Sequence, residues 1–181
     1  MTAQPFPTKA ALIAELRRSG ELLVTRLRAL PVDDFERGRY ENGWNGRQIL
    51  AHVASIEWTY PRLLDIARQG GADGAATVTG PVRRTEPSEA VGVPTRTAQG
   101  GIDAYNARQV ERRADASVAE LIAEFERNRA TMIAAVEQAD DALFATPIRS
   151  AGGITGPLAG VLQAVAVGHI LGHLRDITGE A

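Results

Sequence analysis

The chain carries three histidines, and their placement could do metal chemistry. His169 and His173 stand four apart in the apolar stretch AVAVGHILGHLRDI. At about 100° per residue a helix sets both on one face. His52 lies far upstream in a second apolar stretch, RQILAHVASIEW. An i, i+4 pair can hold one ion with both imidazoles, and a third histidine from a facing helix completes a three-nitrogen set. Three nitrogens leave one coordination position for water or substrate, which is the mark of a reactive metal rather than a structural one. The competing reading is a buried histidine satisfied by its surroundings, which suits His52 taken alone. It suits the pair less well, because two adjacent buried imidazoles need a common partner.

These side chains must be positioned by helices. Thr8 is a good N-cap for a first helix running to Leu30, with Leu12, Ile13, Leu16, Leu23, Leu27 and Leu30 at helical spacing and Pro31 as its stop. A polar connection from Val32 to Trp44 contains a short turn at Asp33–Phe35. Asn45 caps a second helix from Gly46 to about Gln69, built on Ile49, Leu50, Val53, Ile56, Leu63 and Leu64 and kinked at Pro61. Residues 70–101 hold seven glycines and three prolines with little aliphatic periodicity, so they read as a long loop. A third helical region spans about Ile102 to Gln138. The capping signature Ser117-Val-Ala-Glu120 predicts a restart near Asp115, and Leu121, Ile122, Phe125, Met132, Ile133 and Val136 form the buried face. After Pro147 and Gly152-Gly153, a last helix runs from Leu158 to about Ile177, with Thr155 as its cap and Gly179 after its end. Four long helical regions with no strand alternation of useful length predict an all-α four-helix bundle, one domain over 1–181, with the long loop between the second and third regions.

Composition narrows the setting. The net charge of −2 and pI near 5.9 suggest no nucleic-acid surface. Among twenty basic residues only Lys9 is a lysine, which with the abundant alanine and glycine reads as a GC-rich bacterial genome. The absence of cysteine excludes disulfides, thiolate ligands and a cysteine nucleophile, and suits a reducing cytosol. The N-terminus lacks a signal-peptide pattern. The longest apolar stretch, Pro157 to Leu174, is interrupted by Gly160, Gln163, Gly168, Gly172 and the two histidines, so no membrane span is expected. A cytoplasmic protein is the expectation. Homodimerisation through exposed helix faces is compatible with a bundle, although the sequence shows no seam.

The stretch Trp44-Asn-Gly-Arg-Gln-Ile-Leu-Ala-His52, followed in the last helix by His169-x-x-x-His173, resembles the DinB-like metal-binding four-helix bundles. These include the YfiT-type thiol transferases and the N-terminal domain of mycothiol-dependent maleylpyruvate isomerases. Ile102-Asp-Ala-Tyr-Asn-Ala-Arg-Gln-Val110 also resembles the actinobacterial members. The resemblance implies a divalent ion, commonly zinc or nickel, on His52, His169 and His173. It also implies an open position for water or the sulfur of a low-molecular-weight thiol such as mycothiol or bacillithiol, which would attack an electrophilic substrate. Some maleylpyruvate isomerases have glutamate in place of one final-helix histidine, and the full isomerases carry a further C-terminal domain. Histidine at this position and an end at Ala181 favour the transferase pattern over isomerase activity. A metal-dependent hydrolase and a non-catalytic or stress-associated metal-binding bundle are the rival expectations.

The resemblance also makes Asn106 a contact for a thiol cofactor, beside Asp103 on the same side of the helix; the plain alternative is a polar residue near a helix start. Asp176, three residues after His173, is placed to orient an imidazole or to end its helix in solvent. Glu57 lies about 140° round the helix from His52, off the ligand face. Arg47 and Arg108 could meet a carboxylate-rich cofactor, whereas Trp44 and Trp58 read as packing residues.

Overall fold

The computed structural model describes residues 6–37, 43–70 and 101–180. Among these, seven α-helices follow in order: α1 (Lys9–Ala29), α2 (Gly46–Glu57), α3 (Pro61–Arg68), α4 (Gly101–Glu111), α5 (Val118–Gln138), α6 (Leu158–Leu162) and α7 (His169–Thr178). The loop expected over 70–101 falls almost wholly on 71–100, outside the described residues.

Local chemistry sets the helix starts. The Thr8 side chain accepts from the Ala11 amide and opens α1. At α2, Asn45 Oδ1 accepts from the Gln48 amide at 2.9 Å while Gln48 Oε1 accepts from the Asn45 amide at 3.0 Å. This reciprocal cap contributes about 1 kcal/mol. Ser117 and Glu120 make the same box at α5, which is the expected restart of the third helical region. Gly46 is required by a close approach, since a Cβ there would stand 3.1 Å from the Phe35 Cα. At the far end Gly179 adopts φ 72° and closes α7 in the left-handed region open to glycine.

Two expectations need correction. Pro61 does not kink a continuous helix. α2 ends at Glu57, and Pro61 sits at the first position of α3, where its missing N–H costs nothing. Thr155 is not a helix cap. It belongs to β2 (Thr155–Pro157), which pairs antiparallel with β1 (Pro147–Arg149) in a small hairpin, and α6 begins at Leu158, after Pro157 at the N-cap position with no side-chain cap. Three-residue strands carry too little alternation to be read from sequence.

The four long elements are α1, α2–α3, α5 and the run from α6 to α7. Both α1 and α2 pack on α5 and on α7, and α4 lies against α2. The all-α four-helix bundle expected from the apolar spacing is therefore the observed architecture. Leu12, Leu16, Leu23, Ile49, Leu50, Leu121, Phe125, Met132 and Ile170 are almost completely buried in one core. Each such side chain contributes roughly 1.5–3 kcal/mol on burial. The 21-residue run Leu158–Thr178 reaches a mean hydropathy of 1.2, long and apolar enough by composition to cross a membrane. Its buried Leu158, Leu162, Ile170 and Ile177 belong to the core cluster shared with α1, α2 and α5, so its apolarity is that of a core helix.

That run is not a uniform α-helix. Gln163–Gly168 forms a π-helical segment in which the His169 amide donates to the Ala164 carbonyl, five residues back. It departs from the single regular helix that the apolar spacing predicts.

Candidate metal centre

α2 contributes His52 and α7 contributes His169 and His173. The ring centroids are 5.6 Å apart for His52 and His169, 5.1 Å for His52 and His173, and 4.3 Å for the pair on α7. One nitrogen from each ring lies within 4.8 Å of the other two. All three sequence-designated ligands therefore converge. An ion bound by imidazole stands ~2.0–2.1 Å from each nitrogen, which sets nitrogens that share one ion at most ~4.2 Å apart.

His52 and His173 are each 4% exposed, whereas His169 reaches solvent. Burial lowers all three basicities. His52 falls to about 3, chiefly through burial and then through the two facing imidazoles. His169 falls to about 4 through burial and then through the facing His173, with Asp176 pulling the other way. His173 is also lowered by burial, against the raising effect of Asp176. Neutral imidazoles are the form that offers lone pairs to a cation.

The donor set fits a metal on a second observation. His52 Nδ1 is buried without a hydrogen-bond partner, an arrangement that normally costs 1–3 kcal/mol and that an ion would relieve. His173 Nδ1 lies 2.9 Å from Asp176 Oδ2. A carboxylate there fixes the ring's orientation and leaves Nε2 as the lone-pair nitrogen. This is the orienting role open to Asp176 in the sequence. Three neutral nitrogens suit zinc or nickel better than magnesium or calcium, which prefer oxygen.

The other sequence candidates have different fates. Asn106 is half-buried on α4 and is not one of the clustered ligands; its Oδ1 is buried without a hydrogen-bond partner, as is the neighbouring Tyr105 hydroxyl. Asp103 is exposed. Arg47 donates to the Ala114 carbonyl at 2.5 Å and pairs with Glu36, tying α2 to the α4–α5 turn. Arg108 is half-buried on α4. Trp58 is partly exposed beneath the Arg62 guanidinium, whereas Trp44 packs 5.5 Å from His52, centroid to centroid, and so flanks the centre.

Glu57 is off the ligand set, as its angular position implies, but it is completely buried beside Arg129 of α5. Arg129 Nε is 2.7 Å from Glu57 Oε1, and Nη2 donates to Oε2 at 3.1 Å. Burial pushes the Glu57 carboxyl up to about 7 against the pull of this guanidinium. The sequence reading missed the pair. A signal existed: Phe125, Arg129 and Met132 follow the 4- and 3-residue rhythm of a buried face, so an arginine there needs an acid.

A family model for the DinB superfamily matches residues 15–177. No curated protein matches the chain. Among solved structures, a mycothiol-dependent maleylpyruvate isomerase superposes with a TM-score of 0.66 at 14% identity, over 94% of this chain and 61% of that one. A histidine-to-alanine mutant of such an isomerase superposes with a TM-score of 0.65 over the same shares. The chain thus spans about three-fifths of the length of these structural neighbours. With the model match covering nearly its whole length, the chain belongs to the DinB superfamily.

Proposed function

We propose that this protein binds one divalent ion, zinc or nickel, through His52, His169 and His173 and acts as a metal-dependent transferase of a low-molecular-weight thiol, mycothiol or bacillithiol. The observation that carries the reading is the convergence of three neutral imidazoles, one per ligand, with no fourth protein ligand among the described residues. When bound, the ion supplies a full positive charge that favours the thiolate form of a thiol whose ordinary pKa is ~8.5. His52 and His173 close the inner side of the centre, and solvent-facing His169 marks its open side. Asn106 presents an unsatisfied carbonyl oxygen that suits an amide N–H of a thiol cofactor. The structural neighbours' description as mycothiol-dependent agrees with the choice of thiol. Such chemistry belongs in a reducing cytoplasm, where the cofactor is a thiol.

A hydrolytic reading needs a carboxylate free to take a proton from water. Among the described residues beside the histidines, Glu57 is held by Arg129 and Asp176 is held by His173. The thiol reading is therefore the stronger.

The test is thiol transfer to a bromide electrophile such as monobromobimane. Sulfur–carbon bond formation expels bromide, and the thiol proton passes to buffer. Metal-loaded protein is expected to accelerate loss of mycothiol or bacillithiol at least tenfold over the metal-free protein, with Asn106→Ala raising KM for the thiol more than it lowers kcat. No acceleration with either thiol and either metal refutes the transferase reading and leaves a metal-binding protein without this catalysis.

A further inference from the structure

The Arg129 guanidinium reaches the three other long elements of the bundle. Nη1 donates to the Leu16 carbonyl at 3.0 Å and lies 3.2 Å from Ser19 Oγ on α1. Nε and Nη2 meet Glu57 on α2, and Nη2 also donates to the Ala166 carbonyl at 2.9 Å. Tyr60, just after α2, donates its hydroxyl to the Val165 carbonyl at 2.7 Å. Val165 and Ala166 are consecutive residues of the π-helical segment that leads directly into His169. Gly20 makes room for the arginine stem, since a Cβ there would stand 3.3 Å from Arg129 Cγ.

The segment matters through its phase. A π turn takes up one residue more than an α turn, so everything after it is rotated by about 100° relative to an uninterrupted α-helix. Without the π turn, His169 and His173 would leave the face that meets His52. Such turns are strained and persist only where their surroundings favour them. Here the favourable surroundings are two buried donors, Arg129 and Tyr60.

We propose that Arg129, anchored by Glu57, and Tyr60 are positioning residues: their hydrogen bonds to the Ala166 and Val165 carbonyls hold the π segment and thereby set the angle at which the α7 histidines face His52. As a statement about a metal centre, this rests on the reading above; as a statement about the π segment, it stands on the hydrogen bonds alone.

The test uses two mild variants, Tyr60→Phe and Arg129→Lys, with Phe144→Leu as a core control outside the brace. Phe144 is buried in the 3-10 turn that packs on α3 and α6. Two readouts are taken. Cobalt(II) affinity and visible spectrum report the ligand geometry. Amide hydrogen exchange over residues 166–173, measured on metal-free protein, reports the π segment itself. The expected result is at least a tenfold loss of cobalt affinity with an altered ligand-field spectrum in both variants. Exchange at His169 and Ile170 should be at least tenfold faster than in Phe144→Leu, whose cobalt spectrum should stay that of wild type. Variants that match wild type in spectrum and affinity, and match the control in exchange, overturn the proposal. Wild-type protein that takes up no cobalt overturns the metal reading instead, and the exchange comparison still decides the brace.

Discussion

At pH 8.5, where Glu57 of the wild type is ionised, Arg129→Met is expected to lower the unfolding free energy by about 3–5 kcal/mol, the range for removing one partner of a buried ion pair. The cause is local. The substitution leaves the Glu57 carboxyl without its cation, and it removes one donor each from the Leu16 and Ala166 carbonyls in a dry interior. Methionine refills most of the volume, so a cavity is not the main cost. Against a typical stability of 5–15 kcal/mol, a loss of this size shifts a urea midpoint clearly.

The deficit should also depend on pH, with a fixed sign. Glu57 already holds its proton up to about 7 because burial outweighs the pull of Arg129. Removing the guanidinium removes the main influences that lower it, so the carboxyl moves further up. A carboxyl raised in the fold contributes stability that is fully present below its unfolded value, 4.5, and is lost as pH rises through the folded value. Wild type has finished losing that contribution near pH 7, whereas Arg129→Met continues to lose it above. The gap between them should widen by up to ~1.4 kcal/mol per pH unit beyond pH 7. Tyr60, the other titratable neighbour, is itself pushed well above its ordinary value by burial and by Glu57, so it stays neutral throughout. Urea midpoints at pH 6.5 and 8.5 check this; a gap that is constant or narrows contradicts the role given to Glu57.

The second large effect is on metal affinity. Metal binding free energies of roughly 10–16 kcal/mol, shared among four ligand positions, give about 2.5–4 kcal/mol per ligand. His173→Ala is accordingly expected to weaken zinc binding on the order of a hundredfold to a thousandfold. Asp176→Asn keeps every ligand and changes only the partner of His173 Nδ1, so its cost should be smaller, about 10–100-fold. Competition titration with a chromogenic chelator measures both. The ordering is the informative part: equal losses would mean that Asp176 ligates rather than orients, and an unchanged His173→Ala would remove His173 from the site.

The grouping of the three histidines was legible because the pairing of His169 with His173 depends only on residue type and helical spacing. His169 and His173 share a face in any helix, and the apolar neighbours of His52 bury it on the facing element. Capping at Thr8, Asn45 and Ser117 was legible for the same reason, since it acts within one turn. What escaped were features created by tertiary contact. The π segment comes from Tyr60 and Arg129 reaching Val165 and Ala166 across a separation of 105 and 37 residues, which no local spacing encodes. The hairpin at Pro147–Pro157 consists of three pairs and has no pattern to read. Thr155 looked like a cap because caps and strand ends favour the same residue types. Trp44 was read as packing, and the structure specifies what it packs against, the ring of His52.

The proposed thiol transfer requires His52, His169 and His173 to bind one ion together. Elemental analysis of protein purified without a histidine tag, wild type beside His52→Ala, tests this binding most directly. Near-stoichiometric zinc or nickel in wild type, falling below about a tenth of an equivalent in His52→Ala while the variant keeps its helical circular dichroism, is the predicted result. Equal metal content in the two proteins, or none in wild type after reconstitution with either ion, would contradict it.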